Sequence, residues 1–129
     1  MIKTKLMKIV KLILCVLFGL MFINAGLDKF FHYMPVPKME GEILAVGMAM
    51  GTIKWLIPLV ATIELLGGLL FAIPKTRALG AIVIFPVMVG IMCHNAMYMP
   101  EGLGIAGAFF VINLWMIFDN WSKYKPMVS

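Results

Sequence analysis

The sequence predicts an all-α membrane protein: a four-helix up-down bundle with a short interfacial or re-entrant helix between spans 1 and 2. Composition is the first reason, because 63% of the 129 residues are hydrophobic, 13% are charged and the mean hydropathy is +1.02. Soluble domains are about one quarter charged, and a chain this short cannot bury so much apolar surface. The chain also contains four apolar stretches, each near the ~20 residues that a helix needs to cross a bilayer. None alternates as an outer-membrane barrel strand does.

The connections between the predicted spans set the topology. Pro74–Arg77 links the second span to the third, and Met99–Glu101 links the third to the fourth. Links this short make antiparallel neighbours, so the chain 1–129 is predicted to be a single four-span membrane domain. The spans are placed at about residues 9–30, 55–73, 78–98 and 102–119.

The connection Asp28–Lys54 between spans 1 and 2 is longer and needs an element of its own. Pro35 and Pro37 exclude a continuous helix through it. A short and mostly apolar helix is predicted from Lys38 to about Met50. It is too short to cross a bilayer, so we expect it to cap the outer mouth of the bundle.

Basic residues predict the orientation. The net charge is +5, and eight of the eleven basic residues lie on one side of the predicted spans. The positive-inside rule makes that side cytoplasmic, with both termini inside a bacterial inner membrane. This distribution accounts for the charge, so the expected partner is the lipid bilayer and not a nucleic acid. The eight residues are Lys3, Lys5, Lys8, Lys11, Lys75, Arg77, Lys123 and Lys125.

The sulfur-containing residues are predicted to be structural. Cys15 and Cys93 differ in depth by about 12 Å, whereas the Cα atoms of a disulfide lie within about 7 Å. We therefore expect two buried thiols and no intramolecular disulfide. Met92, Cys93 and His94 are ligand types that Cu(I) accepts, but they point in three directions around a helix. The 13 methionines look like flexible apolar filler, so no metal site is predicted.

Small residues predict where the spans touch, because close approach through such residues is the usual packing device of membrane helices. Gly67 and Gly68 follow Glu64 by three and four residues, so we expect Glu64 to face inward. Two further stripes end in an ionisable residue: Cys15, Gly19, Phe22, Gly26 and Lys29 in span 1, and Gly80, Val83, Val87, Gly90 and His94 in span 3.

A carboxylate in the middle of span 2 is the most informative feature. An acid at mid-bilayer costs roughly 2.5–3.5 kcal/mol on insertion scales, so such a residue is protonated, paired or faces a polar cavity. Depth counting places Glu64 level with Asn113 and below several other polar residues. The sequence therefore predicts a pocket that opens outward, with a protonated Glu64 as its floor. Its members are Glu64 and His94 as catalytic residues, and Asn24, Lys29, Asn95 and Asn113 as ligand-binding residues.

Simpler interpretations of the same residues stay open at this point. A bond between Glu64 and Asn113 would only hold two helices together. His94, near the headgroups, would only cap a carbonyl. Against these, a buried acid beside a histidine would suit proton transfer with a quinone or a similar carrier.

These motifs resemble the DoxX family of small bacterial membrane proteins. The resemblance rests on Gly19–Phe30, on Glu64–Leu70, on the basic turn Lys75–Arg77 and on His94–Asn95. It implies a four-helix membrane bundle. It also implies a link to thiosulfate:quinone oxidoreduction, or membership of a membrane-associated oxidoreductase complex. More distant relatives act as cargo receptors or receptor-assembly chaperones.

Two functions lead the predictions. The first is a membrane subunit of a quinone-linked oxidoreductase system, with a membrane or periplasmic redox protein as partner. A bound quinone would be its cofactor, because the sequence has no evident flavin, haem or iron–sulfur motif. The alternative is a non-enzymatic assembly or binding module that holds a lipid or a partner helix in an outer-leaflet pocket. A small transporter is disfavoured by the apolar inner half, and the surface left by so small a bundle is compatible with a homo-oligomer.

Overall fold

The computed structural model describes residues 2–35 and 38–128, and every regular element within them is helical, which confirms the predicted class. Pro37, one of the two prolines used to break the long connection, lies outside the described residues. The α-helices are α1 Ile2–Phe31, α2 Glu42–Thr52, α3 Leu56–Ala72, α4 Arg77–Tyr98, α5 Leu103–Asp119 and the short α6 Trp121–Tyr124.

The described helices provide three spans, or four if one broken span is counted. Lys3–Phe31, Arg77–Tyr98 and Pro100–Asp119 are each long and apolar enough to cross a membrane. α2 and α3 qualify only as a pair, and the two helices are bent by 89° relative to each other. α3 alone has 17 residues, or about 25 Å of rise, against roughly 30 Å of hydrocarbon. The end of the bundle that carries α2 is named the α2 end, and the opposite end, which carries Arg77 and α6, the terminal end.

α2 begins later than the sequence predicts. The expected start was Lys38, whereas the helix begins at Glu42, directly after Gly41. Gly41 has a φ of 67°, in the left-handed region that favours glycine, so a helix cannot run through it. No residue of α2 is buried, and apolar side chains such as Leu44 are exposed. An apolar helix that lies across the bundle in this way suits the membrane interface.

Glycines bring α1 and α3 into close contact. A Cβ added to Gly68 would lie 2.7 Å from the carbonyl oxygen of Gly19, and one added to Gly26 would lie 2.7 Å from that of Ala61. Real Cβ atoms do not approach other atoms so closely, so these positions require glycine. The contact confirms the predicted packing face of span 1.

The face predicted for span 3 is only half correct. Gly80 of α4 packs against the backbone of Phe71 on α3, as a packing glycine should. Gly90 is exposed instead, and a Cβ added there would meet nothing within 4 Å. The face that is buried along α4 is the adjacent one, which carries Ala81, Ile84 and Met88.

Aromatic side chains form the core between the helices. The rings of Phe18 and Phe71 stack with centroids 4.2 Å apart, and Phe109 of α5 lies 5.6 Å from Phe18. Cys15 is buried in this cluster, as predicted. The prediction that Cys93 is buried is wrong: both thiols are free, but Cys93 is exposed because it extends the outward face of α4.

Candidate functional site

Lys29 of α1 and Glu64 of α3 form an ion pair inside the bundle. Nζ of Lys29 lies 2.9 Å from Oε1 and 2.9 Å from Oε2 of Glu64. The Glu64 side chain is 3% exposed and the Lys29 side chain is 29% exposed. Glu64 is therefore paired, which is one of the three ways in which an acid at this depth is accommodated.

The helix faces explain why these two residues meet. Lys29 continues the face of α1 that carries Phe22 and Gly26, because the three are spaced by four and three residues. Gly26 lies against Ala61, and Glu64 follows Ala61 by three residues on the facing helix. The flexible four-carbon stem of the lysine then carries its charge from the last turn of α1 to the level of Glu64.

Asn113 is fully buried and bonds elsewhere, so the bond to Glu64 that was left open as a simpler interpretation is not formed. Its Nδ2 donates to the carbonyl oxygen of Ala81 on α4 at 3.0 Å. Its Oδ1 has no hydrogen-bond partner among the described residues. Equal depth did not imply contact, because Asn113 bonds toward α4 whereas Glu64 bonds toward α1. Asn113 therefore links α5 to α4.

Asn24 lies on the exposed side of α1 and not in an inward pocket. It is two residues from both Phe22 and Gly26, which places it about 200° around the helix from the buried face. The hydroxyl of Tyr33 donates to the Asn24 carbonyl oxygen at 3.0 Å and also to its Oδ1. Nearby, the backbone N–H of Met34 donates to the side chain of Asp28 at 2.7 Å. Both contacts fold the chain after α1 back onto that helix.

His94 and Asn95 are adjacent in the sequence but face different surroundings. The His94 ring is half-buried and lies 5.4 Å from the ring of Tyr98. Nδ2 of Asn95 donates to the carbonyl oxygen of Ile91 at 2.8 Å. Within the described residues no hydrogen bond or ion pair joins His94 to Glu64. The structure therefore does not bring the two predicted proton-handling residues together.

An apolar groove lies between α1, α4 and α5 in the half of the bundle toward the α2 end. Its volume is about 280 Å³, and Asn95 supplies the one polar side chain among the described lining residues. An asparagine amide carries two N–H groups, and within the described residues only one of them is used, in the bond to Ile91. Apolar walls come from Met21 of α1 and from Ile105 and Phe109 of α5. This groove is named the α2-end groove. Asn95 alone of the six predicted site residues lines it.

The polar contacts of the terminal end were not predicted from the sequence. Arg77 is buried and closes α3, because its Nε donates to the carbonyl oxygen of Phe71 at 2.9 Å and its Nη2 to that of Ala72 at 3.2 Å. Lys11 of α1 and Asp119 of α5 form a second ion pair at 2.7 Å. A signal was present, since Lys11 interrupts the first apolar stretch and Asp119 ends the fourth.

Removal of one member of the Lys29–Glu64 pair should destabilise the bundle. In Lys29→Met the carboxyl of Glu64 stays buried without its partner. Breaking a fully buried pair costs about 3–5 kcal/mol, and we expect about 2 kcal/mol here because Lys29 is partly exposed. The double variant Lys29→Met, Glu64→Gln should recover part of that loss, since it leaves no unpaired charge. Unfolding in detergent, followed by tryptophan fluorescence, measures both.

The matched control is Lys11→Met, which removes a lysine from the more exposed pair with Asp119. The side chains of that pair are 24% and 36% exposed, so its loss should cost less than about 1 kcal/mol. The double variant is compared with Lys29→Met and Glu64→Gln measured separately. If its loss of stability equals the sum of the two single losses, the two residues are not coupled.

Residues 7–106 match a family model described as methylamine utilisation protein MauE. The match extends from the first half of α1 to the first turn of α5, well over half of the chain. No curated protein and no solved structure matches the chain.

The resemblance to the DoxX family is wrong, because the family model that matches is MauE. Glycines at helical spacing and one acid in a span are what close packing around a membrane ion pair requires. Gly19–Phe30 and Glu64–Leu70 therefore do not separate one family of small helix bundles from another. By the extent of the match, the chain belongs to the MauE family of membrane proteins.

Proposed function

We propose that this chain is a non-enzymatic membrane component of a methylamine-utilisation system, and that its α2-end groove holds one apolar chain. The description of its family supports the first part. The second rests on one observation: the groove is walled by apolar side chains and offers a single amide, from Asn95. Acyl and prenyl chains have the complementary chemistry, and a volume of about 280 Å³ suits a ring or a stretch of one chain.

The position of the ionisable residues favours a binding role over catalysis. A general acid or base must reach the reacting group within hydrogen-bond distance, directly or through one water. Neither Glu64 nor His94 is among the residues that line the groove, and both oxygens of Glu64 are bonded to Lys29. The groove therefore has no acid or base of its own among the described residues.

A quinone-linked role is the second candidate, and the second N–H of Asn95 favours it. A quinone whose carbonyl accepts from Asn95 could lay its prenyl tail between Met21 and Ile105. In that case the chain would hold the quinone for a partner redox protein, since the described residues that line the groove include no acid or base. A phospholipid acyl chain would use the same walls without the amide.

Mass spectrometry of molecules that co-purify in mild detergent should find a prenyl or acyl ligand in stoichiometric amount. Ala106→Phe should exclude it, because Ala106 lines the groove and a phenyl ring would fill it. Ala108→Phe is the control: it adds the same ring on the exposed side of α5, and should retain the ligand. Equal ligand content in the two variants would overturn the binding proposal.

Asn95→Leu should separate the two ligands. Leucine keeps the size of the side chain and removes the amide, so a quinone should be lost and an acyl chain retained. Retention of a quinone in Asn95→Leu would show that the amide does not hold it.

Deletion of the gene in its own bacterium should slow growth on methylamine as nitrogen source and leave growth on ammonium unchanged. The reason is that the family is described by methylamine utilisation. Re-expression of the unchanged chain should restore growth, whereas Ala106→Phe should not. If growth on methylamine does not depend on the gene, the methylamine part of the proposal is contradicted. The ligand-binding part is tested separately and would not be affected.

We also propose that the chain lies in the inner membrane with its terminal end in the cytoplasm, which the distribution of basic residues supports. In a variant with Cys15→Ala and Cys93→Ala, Thr52→Cys should react with a membrane-impermeant maleimide in spheroplasts. Ser122→Cys, also at an exposed position but at the other end, should react only after lysis. The reverse pattern would invert the orientation.

A further inference from the structure

A second groove lies at the terminal end, between α4, α5 and the chain after α5. Its volume is about 240 Å³, and Ile82 and Ile117 form its apolar floor. The chain after α5 forms its wall, through Trp121, Tyr124, Lys125, Met127 and Val128. This groove is named the terminal groove. It shares no lining residue with the α2-end groove.

Hydrogen bonds fix the wall of the terminal groove against the bundle. The hydroxyl of Tyr124 donates to the carbonyl oxygen of Ala78 in the first turn of α4. Nδ2 of Asn120 donates to the carbonyl oxygen of Met116 at 2.7 Å and holds the turn after α5. Burial raises the pKa of the Tyr124 hydroxyl, which favours the protonated form that donates the hydrogen bond to Ala78. The groove is therefore a built feature and not a gap beside a loose chain end.

The charge at this groove is positive. Lys125 lines it, and Lys123 belongs to the same short segment. The bond from Tyr124 to Ala78 places this segment beside the start of α4, and Lys75 precedes α4 by two residues. The nearest acid in the sequence, Asp119, is paired with Lys11. The lysines at the groove are thus left without an acid among its described lining residues.

We infer that the terminal groove binds one anionic phospholipid, with an acyl chain against Ile82 and Ile117 and its phosphate at Lys125. An apolar groove with a lysine among its lining residues matches a molecule with an apolar chain and an anionic head. Trp121 and Tyr124 have the amphipathic rings that lie at headgroup level, which places the lysine at the depth of the phosphates. A soluble anion would leave the apolar floor uncovered, and a neutral lipid would leave the lysine unpaired.

Quenching of Trp121 fluorescence by brominated lipid tests this directly, because Trp121 lines the groove. The other two tryptophans are removed by Trp55→Phe and Trp115→Phe. The protein is reconstituted in phosphatidylcholine vesicles that contain a minor fraction of chain-brominated phosphatidylglycerol or, in parallel, the same fraction of chain-brominated phosphatidylcholine. We expect phosphatidylglycerol to be enriched about fivefold at Trp121, which corresponds to ~1 kcal/mol for one lysine near an anionic headgroup.

Lys125→Ala should remove this preference. Lys54→Ala is the matched control, because it removes an exposed lysine at the α2 end and should leave the preference unchanged. Excess glycerol phosphate should not reduce the quenching, since the acyl chain contributes to binding; a reduction would identify the ligand as a free phosphate. Equal quenching by the two lipids would overturn the inference.

Native mass spectrometry of the unchanged chain provides a second measurement if the tryptophan variant does not fold. After exchange into mixed lipid, one phosphatidylglycerol should stay bound in the unchanged chain and in Lys54→Ala, and should be lost in Lys125→Ala. Retention in Lys125→Ala would contradict the proposed site. Neither measurement depends on methylamine growth or on the occupant of the α2-end groove.

Discussion

The ion pair between Lys29 and Glu64 is the constraint around which the bundle is arranged. An acid in the middle of a span is protonated, paired or faces a polar cavity, and Lys29 can pair with Glu64 only if α1 and α3 lie close together. Gly26 and Gly68 allow that approach, because any larger side chain would collide with the facing backbone. α1 is therefore packed along α3. It meets α5 mainly toward the middle and the terminal end, through Phe18 and Lys11. Toward the α2 end, the space left between α1 and α5 is the α2-end groove.

Much of this architecture is readable in the sequence, because it follows from one-dimensional rules. The apolar stretches predicted for spans 2 to 4 differ from α3, α4 and α5 by one residue at most, whereas α1 begins at Ile2, before the predicted start at residue 9. Glycine spacing identified the contact face of α1. Glu64 was singled out correctly as a residue that must face inward. Its partner was not, because depth counting treats each side chain as a point at its Cα. Lysine has a long stem, and the atom that matters lies well away from the backbone.

The arrangement of polar residues was harder to predict, since it depends on rotation as well as depth. Asn24 has a suitable depth, but it points away from the face that carries Phe22. Asn95 and His94 differ by one residue, or about 100° of rotation, and only Asn95 lies in the groove. The buried face of α4 also could not be chosen from the glycines alone, because Gly90 turned out to face outward. Which face of a helix is buried depends on the positions of the neighbouring helices, and a single sequence does not show those positions.

The two grooves differ in charge because of the ion pairs that lie near them. At the α2 end, Lys29 is neutralised by Glu64, and the groove nearby presents only a neutral amide. At the terminal end, Asp119 is paired with Lys11, and the described lining residues of the groove include Lys125 but no acid. Along α4, Ile82 and Asn95 are separated by about 20 Å of helix rise, more than half of the hydrocarbon thickness. The two grooves share no lining residue. They would take their occupants from opposite leaflets, a neutral chain at the α2 end and an anionic lipid at the terminal end.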